Sequence, residues 1–109
     1  YAWTMEDKEQ SIATINKFIT TAKTNNESYE NLLNLLGYKL MSNGDMDGAE
    51  KVFLDYIKVY PDGYNSYDSM GEYYLKNEMN ESAKEMYLKA LEKYQFANNA
   101  RNVISKMTE

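Results

Sequence analysis

Slid along itself, the chain falls into register at one fixed offset, the one that sets Leu36 against Met70. Leu36, Gly37, Ala49, Phe53, Leu54, Ile57 and Tyr60 then stand opposite Met70, Gly71, Ala83, Tyr87, Leu88, Leu91 and Tyr94. Most pairs keep size and polarity. A fixed period of this length marks stacked supersecondary units, each too small to bury its apolar face alone.

Within each unit the apolar residues recur at three- and four-residue spacing, which predicts two amphipathic helices around a short turn. In the first unit helix A is expected from about Ser28 to Ser42, with Asn43-Gly44-Asp45 as the turn and helix B running on to about Tyr60. Pro61-Asp62-Gly63 then ends it: proline has no amide hydrogen to continue the ladder, and glycine tolerates a tight exit. In the second unit helix A is expected over about Tyr64 to Lys76 and helix B over Asn80 to Tyr94, with Asn80 as N-cap. Upstream, Thr4 and Asp7 have the spacing of a capping box for a helix from Met5 to Lys23. Ile15, Ile19 and Ala22 of that helix lie one full period before Ala49, Phe53 and Tyr56. A last helix, capped by Asn98 and ending near Met107, would turn Val103, Ile104 and Met107 inward. One domain is expected, with repeat units over 28–61 and 62–95 between flanking helices over 5–23 and 98–107.

These residues resemble the tetratricopeptide repeat. Its pattern is met in the first unit by Leu33, Leu36-Gly37, Leu40, Ala49, Phe53 and Pro61, and in the second by Tyr67, Met70-Gly71, Tyr74, Ala83 and Tyr87. The second unit departs at Met70, where leucine is usual, and at Gln95, where the closing proline would stand. The resemblance implies an all-α fold of antiparallel hairpins stacked as a short right-handed superhelix with capping helices. It also implies binding of a protein or peptide on a concave face built from the A helices. Close packing accounts for the small residues: Gly37, Gly71, Ala49 and Ala83 let the two helices of a hairpin approach while aromatics fill the space beside them.

The run Asn65-Ser66-Tyr67-Asp68-Ser69-Met70-Gly71-Glu72 resembles segments in the repeat-containing C-terminal tails of bacterial serine hydrolases and esterases. The chain itself has neither Ser-x-x-Lys nor Gly-x-Ser-x-Gly. That resemblance implies a catalytic domain upstream, in a bacterial cytoplasm or periplasm, with these residues as its appendage; a first residue of Tyr1 and not Met fits such a piece.

Composition narrows the chemistry. The net charge of -5 opposes a broad attraction to nucleic acid or to anionic membranes. With no cysteine and no histidine, the common zinc sites and Ser-His-Asp or Cys-His catalysis are excluded. No apolar run reaches the roughly 20 residues needed to span a bilayer, so a soluble chain is expected. Asn43-Gly44-Asp45-Met46-Asp47 has some oxygen ligands but lacks the rest of a calcium-loop pattern, and the acidic pairs do not supply one. No cofactor or enzyme activity is expected within these residues.

The A-helix face selects the candidate contacts: Asn34, Tyr38 and Met41, then Asp68, Glu72 and Lys76, and in the last helix Asn102 and Lys106. Relatives that bind heat-shock-protein tails grip a terminal carboxylate with Lys and Asn at such positions. Here Asn34, Tyr38, Asp68 and Glu72 assemble no cationic grip. Asp68 and Glu72, one turn apart, instead favour a partner bearing Lys or Arg, although Glu72 with Lys76 also has the spacing of an ordinary surface pair. The eleven tyrosines suit an interaction surface, but Tyr67, Tyr74 and Tyr87 occupy core positions of the repeat. Exposed ends of a repeat stack can also pair with each other.

Overall fold

The computed structural model describes residues 5–107. Among them the chain forms six helices and no strand: α1 (Met5–Thr24), α2 (Glu30–Ser42), α3 (Met46–Val59), α4 (Asn65–Lys76), α5 (Asn80–Lys93) and α6 (Asn98–Met107). The fold is therefore all-α, as the periodicity predicts. Two compact units divide it within α3, one ending at Val52 and the other beginning at Phe53. The capping pair expected of Thr4 and Asp7 lies outside the described residues.

Three helix ends share one device. Asn26, Gly44 and Glu78 have left-handed backbones, with φ of 57°, 87° and 58°. The next residue in each case sends its N–H back across the turn: Glu27 to the Ala22 carbonyl at 2.8 Å, Asp45 to Leu40 at 2.9 Å and Met79 to Tyr74 at 2.9 Å. These are Schellman closures, which satisfy carbonyls the helix end leaves unpaired. Glu78 is the repeat equivalent of Gly44, so the second unit reproduces the turn of the first with a side chain where glycine is easiest.

The same turns decide how the next helices start. Asp45 closes α2 and also caps α3, its Oδ1 accepting the Gly48 N–H at 2.9 Å. Its counterpart Met79 precedes α5 with no side-chain cap, and Asn80 is already the first helical residue. The expected Asn80 cap is thus displaced: the turn is so short that the residue closing α4 must also start α5. Asn98 likewise lies inside α6, where the Ala97 carbonyl accepts the Arg101 N–H at 3.0 Å.

In the first unit α1 packs along α2. Ile15, Ile19 and Ala22 are buried at i, i+4, i+7 spacing, and Leu33, Leu36 and Met41 of α2 are buried too. In the second unit α4 packs on α5 and α5 on α6 around Ala83, Tyr87, Ala90, Ala97 and Ala100. The alanines in that set allow close helix approach, and the tyrosines fill the space left over. Tyr64, Tyr67, Tyr74, Val103, Ile104 and Met107 pack against this cluster, which places the last three on the inner side of α6. Buried Ser66 ties down the link into α4, its hydroxyl donating to the Tyr60 carbonyl at 3.2 Å. Fully burying an aromatic such as Tyr87 contributes on the order of 3 kcal/mol.

Candidate interaction surface on helix α4

Asp68 and Glu72 lie one turn apart on α4, both half-buried. The Asn99 side chain, from the first turn of α6, donates to both Asp68 oxygens at 3.0 and 3.2 Å. Burial pushes the Asp68 carboxyl above its usual range; the Asn99 hydrogen bond pulls it down and the neighbouring Glu72 charge adds to the rise. Behind them stands Tyr87, 1 % exposed. Burial, then the Asp68 and Glu72 charges, raise its phenol above the ordinary tyrosine range, against the opposing Asn99 hydrogen bond. The result is a partly desolvated anionic locus that a cationic group would relieve.

The other expected contacts fall in both units. Lys76 is exposed one turn after Glu72, and Asn102 and Lys106 are exposed along α6, continuing from Asn99 at three- and four-residue spacing. Asn34 and Tyr38 are half-buried on α2 in the unit ending at Val52, where Tyr38 lines a cavity of about 300 Å³ with Lys8, Ser11 and Leu35. Met41 must be removed from the set: at 6 % exposure it belongs to the buried side of α2, because its three-residue step from Tyr38 carries it over the helix edge. Sequence reasoning missed Asn99 and the Tyr87 hydroxyl. For Asn99 a signal existed, since Asn31, Asn65 and Asn99 recur at the repeat period.

Among the described residues no group of three or more His, Cys, Asp or Glu could hold a metal ion, and no helix is long and apolar enough to cross a membrane. A sequence model described as a tetratricopeptide repeat matches residues 64–92, which span α4 and nearly all of α5. Such repeats generally mediate protein–protein interaction. No curated protein matches the chain.

Proposed function

We propose that this chain is a protein-interaction module that receives a basic peptide segment or a neighbouring domain along the exposed side of its A-type helices. The observation that carries the reading is the half-buried Asp68 carboxylate, raised by desolvation and by Glu72 and held in place by Asn99. A Lys or Arg side chain placed there regains as ion pairing what the two carboxylates lose on leaving water. Lys76 follows Glu72 by one turn on α4, Asn102 and Lys106 continue along α6 from Asn99, and Asn34 and Tyr38 are the contacts offered by α2 in the first unit. The acidic balance of the chain favours a cationic protein partner over nucleic acid or a membrane surface.

The test is an amide NMR titration with Lys- and Arg-bearing peptides. The expected shifts concentrate at Asp68, Glu72, Asn99 and Asn102, weaken with added salt, and vanish in an Asp68→Lys, Glu72→Lys variant that keeps its helical circular dichroism. Shifts spread evenly over the chain, or unchanged by the charge reversal, would sink the proposal.

A second reading has one observation in its favour. Phe18 on α1 is 57 % exposed and Leu35 on α2 is 44 % exposed, the bare apolar surface expected of an appendage that packs on a larger, hydrolase-like protein in cis. Its test is the mass of the native protein detected in source cells: a band at the 12.7 kDa of this chain rules the appendage out, and a much larger one moves the search for chemistry upstream.

A further inference from the structure

Asn43 and Asn77 hold the same place one repeat apart, each ending an A-type helix before a left-handed turn residue. Their backbones agree, with φ and ψ of -81° and -3° at Asn43 and -96° and 12° at Asn77. Their side chains do not. The Asn77 amide is pinned, its Nδ2 donating to the Tyr73 carbonyl at 2.8 Å, whereas the Asn43 amide makes no hydrogen bond among the described residues.

The residues that follow differ as well. Asn77 precedes Glu78, and Asn43 precedes Gly44, the one Asn-Gly pair in the chain. An asparagine amide is open to attack by the backbone nitrogen of the next residue. Glycine, with no side chain, leaves that nitrogen least hindered.

We propose that Asn43 is a deamidation site and that the turn between α2 and α3 gates it. The Gly44 nitrogen gives up its proton to hydroxide and bonds to Cγ of Asn43; the amide nitrogen takes a proton from water and leaves as ammonia. The resulting succinimide adds water, opening at one carbonyl to aspartate or at the other to isoaspartate. In the folded chain two features oppose the first step. The Gly44 N–H donates to the Met41 carbonyl at 3.1 Å, which retains the proton the attack must lose. The helical ψ of Asn43 also turns that nitrogen away from Cγ.

Both restraints yield when the turn opens, and few bonds close it. The Asp45 N–H donates to Leu40 at 2.9 Å and Asp45 Oδ1 accepts from Gly48 at 2.9 Å, with Gly44 and Asp45 exposed. So small a unit opens without unfolding the whole chain. Isoaspartate then lengthens the backbone inside the closure that ends α2, and aspartate sets a negative charge at the negative end of that helix. The second unit has the same turn without this chemistry, because its asparagine is pinned and glutamate follows it.

The test incubates the full chain in warm, mildly alkaline buffer, with and without urea, and follows each asparagine by peptide mapping. The mass gained when –NH2 becomes –OH marks deamidation, and isoaspartyl methyltransferase labels the isomer. Asp47-Gly48 and Asp62-Gly63 isomerise without that gain. Asn43 is expected to convert ahead of every other asparagine, at least ~10-fold slower in the native chain than in urea. Asp45→Ala, which removes the α3 cap, speeds native conversion about 5-fold and leaves the rate in urea unchanged. Gly71→Ala, in the other hairpin, does not speed it. Equal rates with and without urea, an earlier gain at Asn77 or another asparagine, or a native rate indifferent to Asp45→Ala overturns the proposal. So does an equal acceleration by Gly71→Ala, which would make unfolding of the whole chain the gate.

Discussion

The Tyr87 ring occupies the space in which residue 71 would carry a side chain. A Cβ at Gly71 would meet Cζ of that ring at 2.8 Å and Cε2 at 2.9 Å. The glycine therefore opens a slot in α4 for an aromatic from α5, and the close approach of this hairpin is ring on backbone. Adding a methyl group forces the ring off its seat at about 2–3 kcal/mol, against a gain of about 1 kcal/mol in helix propensity. Gly71→Ala is expected to lower stability by about 1–2 kcal/mol net in chemical denaturation. In a Tyr87→Leu background the same exchange should turn neutral or stabilising, because the collision is gone and the propensity gain remains. Equal costs in both backgrounds would dissociate the two residues.

Asp68 sets the acid limb of stability. Its carboxyl is raised in the folded state from 3.8, so between that value and its folded value the native chain holds a proton that the unfolded chain has released. Its contribution is fully present below pH 3.8 and is lost as pH rises through the raised value. Asp68→Asn removes this dependence. Denaturation of both proteins across the acid range should therefore show wild type losing ground to the variant as pH rises; a difference moving the other way would mean that the Asn99 hydrogen bond outweighs burial.

At alkaline pH the same reasoning applies to Tyr87. Its phenol is raised from 10.0 by burial and by Asp68 and Glu72, so the folded state keeps a proton there after exposed tyrosines have lost theirs, and stability falls as pH climbs past 10.0. Tyrosinate absorbance should show one of the eleven tyrosines appearing only with loss of helical circular dichroism. Tyr87→Phe should remove that late step. If all tyrosines titrate before unfolding, the phenol is not shielded.

The hairpins were legible because residue size repeats at a fixed period: Gly37 and Phe53 stand one period before Gly71 and Tyr87, the pair that packs ring on backbone. Asp68 and Glu72 were legible as neighbours on one helix face. What lies under them was not, because the pattern assigns Tyr87 a volume and says nothing of where its hydroxyl ends. The cap was expected of Asn98, and nothing in the helix pattern marks its neighbour Asn99, whose side chain reaches Asp68 on α4. The exposure of Leu35 contradicts its own leucine character and shows only when Ser69 and Val103, at the same repeat position, are seen covered. Met79 escaped notice because no side-chain propensity marks a residue that must close one helix and open the next.

That double duty gives the last prediction. Gly44-Asp45 and Glu78-Met79 are the same turn, one repeat apart. In the first, glycine takes the left-handed position at no steric cost and aspartate caps α3. In the second, Glu78 bears a left-handed backbone worth roughly 1 kcal/mol of strain, and Met79, 47 % exposed, leaves the start of α5 without a side-chain cap. Glu78→Gly should stabilise by about 1 kcal/mol. Met79→Asp should add a similar amount, about 1 kcal/mol, by accepting the Ser82 N–H as Asp45 accepts that of Gly48, with little apolar burial given up. The reciprocal changes Gly44→Ala and Asp45→Ala should each cost about 1 kcal/mol. Thermal and urea unfolding of the four variants checks the set. If the double substitution Glu78→Gly, Met79→Asp fails to raise stability while Asp45→Ala lowers it, the two turns are alike in geometry but not in energy.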